Sequence, residues 1–335
     1  MKALYNWLHR VWYEDGALGW LLVPFSWLYS GITSLRTMLY RRGMLNSAKA
    51  AVPVIVVGNI TAGGTGKTPT VVWLAEQLKA RGWSPGIVSR GYGGSRSGTS
   101  MRVDVDSDAA VVGDEPVLLA RRTQCPVAVD ADRLRATEML VEDGANVVIA
   151  DDGLQHLRLQ RDVELCVVDG RRGLGNGRLL PAGPLREPAR RLESVDAVLI
   201  NGGDFQREFA FRFSLSANDV RRLNGSVERP LAAFSGSTVH AVAGIGNPSR
   251  FFDQLRAAGV QVIEHPLRDH ETLSRGAIEF GDGFDVFMTE KDAVKLGTSL
   301  PDRFWYLPVD FALEPEGEQT LMNRIVERLS DCKET

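Results

Sequence analysis

The sequence predicts an α/β protein: a mainly parallel sheet with helices on both faces, a smaller C-terminal α/β domain, and an N-terminal interfacial helix. Three observations predict it. Apolar runs of four to six residues alternate with helical stretches, the pattern of strands buried on both faces. A glycine-rich turn joins the first such run to the first long helical stretch. Ahead of both, residues 16–35 carry no formal charge.

Length and composition agree. A chain of 335 residues suits two domains better than one. Apolar residues make up 44% and charged residues 24%, the balance of an ordinary folded protein. A net charge of −3 gives a nucleic acid no bulk electrostatic support, and no such partner is expected. Cys125, Cys166 and Cys332 lie far apart, forming neither a disulfide framework nor a zinc pattern, which fits a reducing compartment.

Trp20, Leu21, Leu22, Val23, Phe25, Trp27 and Leu28 crowd the first half of the uncharged run. Its length could span a bilayer, but Pro24 interrupts it. Ser26, Ser30, Thr33, Ser34 and Thr37 recur at steps of three and four. A helix therefore gathers hydroxyls on one stripe and Trp27, Leu28, Leu35 and Leu39 on another. Arg36, Arg41 and Arg42 follow. Such a helix is expected to lie in a membrane interface; the alternative is a helix docked on the protein's own core. Glu14 and Asp15 precede the run and no A-x-A-like site follows it, so a signal peptide is not expected.

Residues 1–50 make up this N-terminal region. A core over 51–205 follows, with strands expected at 52–57, 86–89, 146–150, 164–169 and 197–201, and helices at 68–81 and 132–142. Residues 206–235 read as a connector, since 209–216 alternates apolar and polar residues like an exposed strand. Residues 236–335 read as the smaller domain. It has strands at 239–244, 284–288 and 304–309, and a helix at 249–258 after the turn Gly246-Asn247-Pro248.

The strongest chemical signal is Gly58-Asn59-Ile60-Thr61-Ala62-Gly63-Gly64-Thr65-Gly66-Lys67-Thr68, between a strand and a helix. That is the setting of a nucleotide phosphate loop of the P-loop NTPase type. Residues Gly63, Gly64, Thr65 and Gly66 let backbone N–H groups turn toward phosphate, and the helix N-terminus adds partial positive charge. Lys67 is expected at the β- and γ-phosphates of ATP, and the Thr68 hydroxyl on Mg²⁺. The strict pattern wants glycine where this chain has Thr61.

Asp151 and Asp152 end the apolar run 147–150, where a carboxylate orients Mg²⁺ beside a phosphate loop. Gln155 and His156 follow at once; His156 is either a structural histidine or a substrate contact. In Gly113-Asp114-Glu115-Pro116, Asp114 is either a helix cap or a base near an acceptor hydroxyl. Glu115 joins the candidate metal carboxylates. Arg171, Arg172, Arg178, Arg186, Arg190 and Arg191 crowd one Gly- and Pro-rich stretch whose acidic residue is Glu187. It reads as a loop for an anionic ligand, because arginine forks onto phosphate oxygens, or as a solvated basic loop. Asp269-His270 and Thr289-Glu290-Lys291-Asp292 are weaker polar clusters in the second domain.

These stretches, with Ser89-Arg90-Gly91-Tyr92-Gly93, Leu180-Pro181-Ala182-Gly183-Pro184-Leu185-Arg186-Glu187 and Thr289 to Ala293, run in order along the chain. Together they resemble the tetraacyldisaccharide 4′-kinase family of lipid A biosynthesis. The resemblance implies ATP-dependent phosphorylation of the 4′-hydroxyl of a lipid A disaccharide-1-phosphate precursor, at the cytoplasmic face of the bacterial inner membrane. It implies Asp114 as catalytic base with His270 assisting, Asp151 and Asp152 at Mg²⁺-ATP, and Arg90, Arg186 and Glu187 at the sugar-phosphate end. Thr61 agrees with the family.

Two other readings stand beside it. A membrane-binding partition or positioning ATPase shares the Gly-Gly-x-Gly-Lys-Thr loop, but usually carries a lysine just before the glycine pair, where this chain has Ala62. A soluble P-loop kinase or ligase for a small metabolite leaves the apolar N-terminal helix without a task.

Overall fold

The computed structural model describes residues 2–14, 17–95, 98–268, 271, 273–296 and 301–331; of residues 2–6 and 17–18 it describes the backbone alone. The chain opens with α1 (Lys2–Tyr13) and α2 (Val23–Arg41). The first unit continues with β1 (Val54–Gly58), α3 (Lys67–Ala80), β2 (Pro85–Ser89), β3 (Met101–Val103), α4 (Ala109–Val112), α5 (Asp114–Thr123), β4 (Val127–Val129), α6 (Arg133–Glu142), β5 (Val147–Asp151), β6 (Val163–Asp169), β7 (Ala197–Asn201) and β8 (Phe211–Ser216). The second holds β9 (Asp219–Arg222), β10 (Glu228–Pro230), β11 (Thr238–Ala243), α7 (Pro248–Ala257), β12 (Gln261–Pro266), β13 (Asp285–Thr289), α8 (Glu290–Ala293) and β14 (Phe304–Leu307). The chain then returns to the first sheet with β15 (Asp310–Leu313) and α9 (Pro315–Asp331).

The first sheet has nine strands in the order β15-β8-β7-β6-β1-β5-β2-β4-β3. Only its rims are antiparallel: β15 on β8, and β3 on β4. β1 lies in the middle, and all five of its residues, Val-Ile-Val-Val-Gly, are buried. β-Branched side chains packed on both faces are what a central parallel strand requires. Ile55, Val57 and the apolar side of α3, α5 and α9 form the core on one face. Val54, Val56 and α6 residues such as Leu140 form it on the other. α3 stops at Gly82, whose φ of 81° is a left-handed turn that glycine adopts without steric cost.

The second sheet has six strands in the order β10-β9-β14-β13-β11-β12. The four strands β14-β13-β11-β12, from the middle of the sheet to one edge, pair in parallel, with α7 packed on β11 and β12.

Two stretches depart from the sequence-based division. The stretch 209–216, read as part of a connector, supplies β8 of the main sheet, with Phe213 buried and stacked on Phe311 at 4.3 Å. Residues 310–331, read as part of the C-terminal domain, belong to the first sheet and its core. Leu321, Met322, Ile325 and Leu329 of α9 form a helical stripe that buries itself there.

α2 has two distinct faces. Ser26 is buried, its Oγ donating to Leu179 O at 2.7 Å and accepting from Ala182 N at 3.0 Å. Tyr29 Oη donates to Arg186 O at 3.1 Å, and Arg36 Nη1 to Gln155 O at 3.1 Å. The opposite side leaves Trp27 72% and Leu28 64% exposed, together with Phe25, Ile32 and Leu35. Thr33 and Thr37 donate to carbonyls one turn back, so these two hydroxyls of the stripe are satisfied within the helix.

Candidate active site

β1 delivers the chain into loop 59–66, and α3 starts at Lys67. Gly66 has a φ of 105°, where a β-carbon is strained, and a Cβ there would lie 3.0 Å from Asn201 Nδ2. That amide donates to Thr65 O at 3.0 Å. Asn59 braces the loop from within: its Nδ2 donates to Thr61 O at 2.8 Å and Gly63 O at 3.2 Å, and its Oδ1 accepts from Lys67 Nζ at 3.2 Å. The result is a rigid turn at a helix N-terminus, a ready anion site.

The basic loop is laced to this turn. Ala62 N donates to Pro184 O at 2.7 Å, and Arg186 N to Ile60 O at 2.7 Å. Arg186 therefore arrives beside the end of β5, where its Nη1 lies 3.3 Å from Asp152 Oδ2.

The parallel register Val57↔Asp151 puts Asp151, at the end of β5, and Asp152, just past it, next to the loop. Asp152 has a φ of 48°, a conformation non-glycine residues seldom adopt, and it occurs here where Lys67 Nζ lies 3.4 Å from its Oδ1. Burial opposes ionisation of Asp152, but Lys67, Arg186 and Arg133 overrule it and hold the carboxyl below its usual range. Asp151 goes the other way. It is buried, and burial, followed by the negative charges of Glu115 and Asp152, pushes it up to about 7. Its Oδ1 accepts no hydrogen bond among the described residues. Arg133, also buried, donates to Asp151 O at 2.7 Å.

Asp114 and Glu115 open α5. The cap position belongs to Gly113, at φ 94°, and a Cβ there would lie 2.7 Å from Tyr92 O. Asp114 is thus the first helical residue and not the cap. It is buried, and its Oδ1 accepts from Glu115 N at 2.9 Å. Glu115 Oε1 lies 3.2 Å from Lys291 Nζ of the second unit.

A cleft of about 1050 Å³ between the two units collects most of the candidates: Gly63, Gly64, Gly66, Lys67, Thr68, Arg90, Glu115, Asp151, Asp152, His156 and Arg186. Thr65, Asp114 and Glu187 stand outside its lining. Glu187 accepts from Gln155 Nε2 at 2.6 Å and from Arg191 Nε at 3.1 Å, which braces the wall. Burial, then the charges of Arg133 and Arg161, lower His156 to about 4, so it is neutral at pH 7. His270 lies outside the described residues, as do Asp269 and Cys332.

The family model for tetraacyldisaccharide-1-P 4′-kinase matches residues 18–327. The chain belongs to this family. A tetraacyldisaccharide 4′-kinase from Alkalilimnicola ehrlichii is 52% identical, with 90% of each chain covered. One from Methylobacillus flagellatus is 47% identical over 99% of this chain and 98% of its own. Among solved structures, the apo form of LpxK from Aquifex aeolicus in complex with ATP matches at a TM-score of 0.79 and 30% identity, covering 93% of this chain and 99% of that one. Membership in the 4′-kinase family decides against the partition-type switch, as Ala62 had suggested.

The site also depends on residues whose part in it the motifs did not give. Asn59 sits inside the quoted loop sequence, but its brace on Lys67 depends on the loop's closed shape. Arg133 lies in an ordinary helical stretch and carries no local signal. Arg250 of α7 reaches the cleft only because the second unit faces the first, and so does Lys291 of the quoted 289–292 cluster.

Proposed function

We propose that this family member transfers the γ-phosphoryl group of ATP to the 4′-hydroxyl of a tetraacyldisaccharide 1-phosphate, a step of lipid A biosynthesis. The observation that carries this is the single cleft where Lys67, Asp151 and Asp152 meet Arg90, Arg186 and the loop pinned to α2. The loop 63–66 and Lys67 bind the β- and γ-phosphates, and Lys67 compensates charge on the group in flight. The donor set fits Mg²⁺: Asp151 Oδ1 is buried with no hydrogen-bond donor among the described residues, and Thr68 lines the same cleft. Thr68 and Asp151 would hold the ion, with Asp152 and Glu115 contributing charge beside it. Bound there, Mg²⁺ would supply neutralising charge for the phosphoryl group in transfer. Magnesium usually takes one or two carboxylates plus substrate phosphates and needs no all-protein cage.

Asp114 accepts the proton of the 4′-hydroxyl as its oxygen bonds to the γ-phosphorus and the bond to the departing ADP oxygen breaks. His270 assists it, on the family resemblance. Arg90, Arg186 and neutral His156 receive the sugar-phosphate end, and Glu187 fixes Gln155 beside them. We place the protein on the cytoplasmic face of the bacterial inner membrane, with α2 lying in the interface. The exposed Trp27 and Leu28 face supports that placement. Among the described residues no helix is long and apolar enough to cross a membrane.

The test is transfer of radiolabelled γ-phosphate from ATP to the tetraacylated disaccharide 1-phosphate in detergent. The expected product is the labelled bisphosphate lipid. Release of free phosphate alone, with no labelled lipid, sinks the reading.

A further inference from the structure

The Thr289-Glu290-Lys291-Asp292 motif has no role in the mechanism above. It follows β13 in the second sheet, yet its charges are directed into α5 of the first unit. Arg122 Nη1 of α5 donates to Glu290 Oε2 at 3.0 Å. Lys291 Nζ lies 3.2 Å from Glu115 Oε1, and Lys295 Nζ, just past α8, lies 3.8 Å from Asp114 Oδ2.

Lys295 is fixed from its own side. Its Nζ donates to Asp292 Oδ1 at 2.9 Å and to Glu271 O at 3.1 Å. Asp292 is fully buried, and its Oδ2 accepts from Gly244 N at 2.7 Å and from Thr289 Oγ1 at 2.6 Å. Gly244 must be glycine, because a Cβ there would come within 2.7 Å of Asp292 Oδ1. A chain of contacts thus runs from the backbone of the second sheet through Asp292 and Lys295 to Asp114. At 3.8 Å the last step is too long for a hydrogen bond. Lys295 therefore acts on Asp114 as a charge, opposing rotation of Oδ2 away from it. Buried ion pairs add little net stability, so stability alone gives no reason for this one.

We infer that Lys295 is a positioning residue for phosphoryl transfer: anchored by Asp292, it holds the Asp114 carboxylate in the orientation that receives the hydroxyl proton. It also makes that orientation depend on the seating of the second unit against α5. The inference rests on the role proposed above for Asp114.

Steady-state kinetics of the full chain, with ATP and lipid varied separately, test it. Lys295→Met lowers kcat by roughly 10- to 100-fold, the scale of a misplaced catalytic group, and leaves the KM for ATP unchanged. Lys295→Arg restores part of the loss. The double variant Asp114→Asn/Lys295→Met is no slower than Asp114→Asn alone, because the lysine acts only through the acid. A merely structural lysine predicts losses that multiply. If Lys295→Met does not fold, Lys295→Gln serves, since it can still hydrogen-bond Asp292 without the charge. A crippled Asp114→Asn beside a normal Lys295→Met overturns the inference alone, as does a double variant whose loss is the product of the singles. A near-normal Asp114→Asn overturns the base assignment and this inference with it.

Discussion

Lys67 Nζ stands between two oxygens, Asn59 Oδ1 at 3.2 Å and Asp152 Oδ1 at 3.4 Å. The phosphate loop and the end of β5 are thus joined through one ammonium. Lys67→Ala should reduce kcat by about 10²- to 10³-fold, the usual scale for losing one preorganised charge at a transition state. Circular dichroism should show the fold intact. Near-normal turnover at saturating ATP contradicts the assignment.

The exposed face of α2 can be tested without disturbing its pinned face. Trp27→Glu with Leu28→Glu adds charge to side chains that are 72% and 64% exposed, so thermal stability should change little. Co-sedimentation with anionic lipid vesicles should fall sharply, because buried apolar area drives interfacial binding. Unchanged vesicle binding removes this face from the membrane reading.

The pinned face makes a different prediction. Ser26→Ala removes the acceptor of Ala182 N and the donor to Leu179 O. A buried N–H left without a partner costs on the order of 1–3 kcal/mol, readable by urea unfolding. Because Ala182 belongs to the loop that carries Arg186, the KM for the lipid should rise while ATP affinity holds. Equal losses for both ligands place this loop at the nucleotide.

His156 gives a pH test. Its folded-state value of about 4 lies below the ordinary 6.5, owing first to burial and then to Arg133 and Arg161. Between those values the unfolded chain binds a proton that the folded chain does not. Stability therefore rises with pH across this window, is complete above about 6.5, and falls as pH drops toward 4. His156→Gln should flatten that slope between pH 7 and 5 in denaturant titrations. A variant with the same slope as the parent rules out His156 as its source.

Local signals made the nucleotide half of the cleft legible in the sequence. β1, the glycine turn and α3 are contiguous, and Asp151 follows an apolar run that can only be a buried strand. The acceptor half was legible as chemistry but not as geometry. That Arg186 faces Asp152 depends on Arg186 N bonding Ile60 O, a contact between residues 126 apart by number (186 − 60). The alternation in 209–216 made β8 legible as a strand but not its place in the main sheet, which Phe213 secures by stacking on Phe311 of β15. Lys295 carries no local mark; only the facing of α8 on α5 gives it a partner in Asp114. His270 lies outside the described residues, so its meeting with Asp114 is left to the kinetic tests.

The chain passes into the second sheet between β8 and β9 and returns between β14 and β15, each crossing being two residues long. The two crossings lie side by side, since Asp310 pairs with Ser216. Both covalent links to the second unit therefore sit at one edge of the first sheet. The same layout governs dissection of the gene. A stop codon placed after β8 deletes the second unit, but it also strips β15 from the sheet edge and α9 from the core it shares with Trp73. The first unit can be isolated only by excising the insert and splicing residue 216 to residue 310 through a short turn.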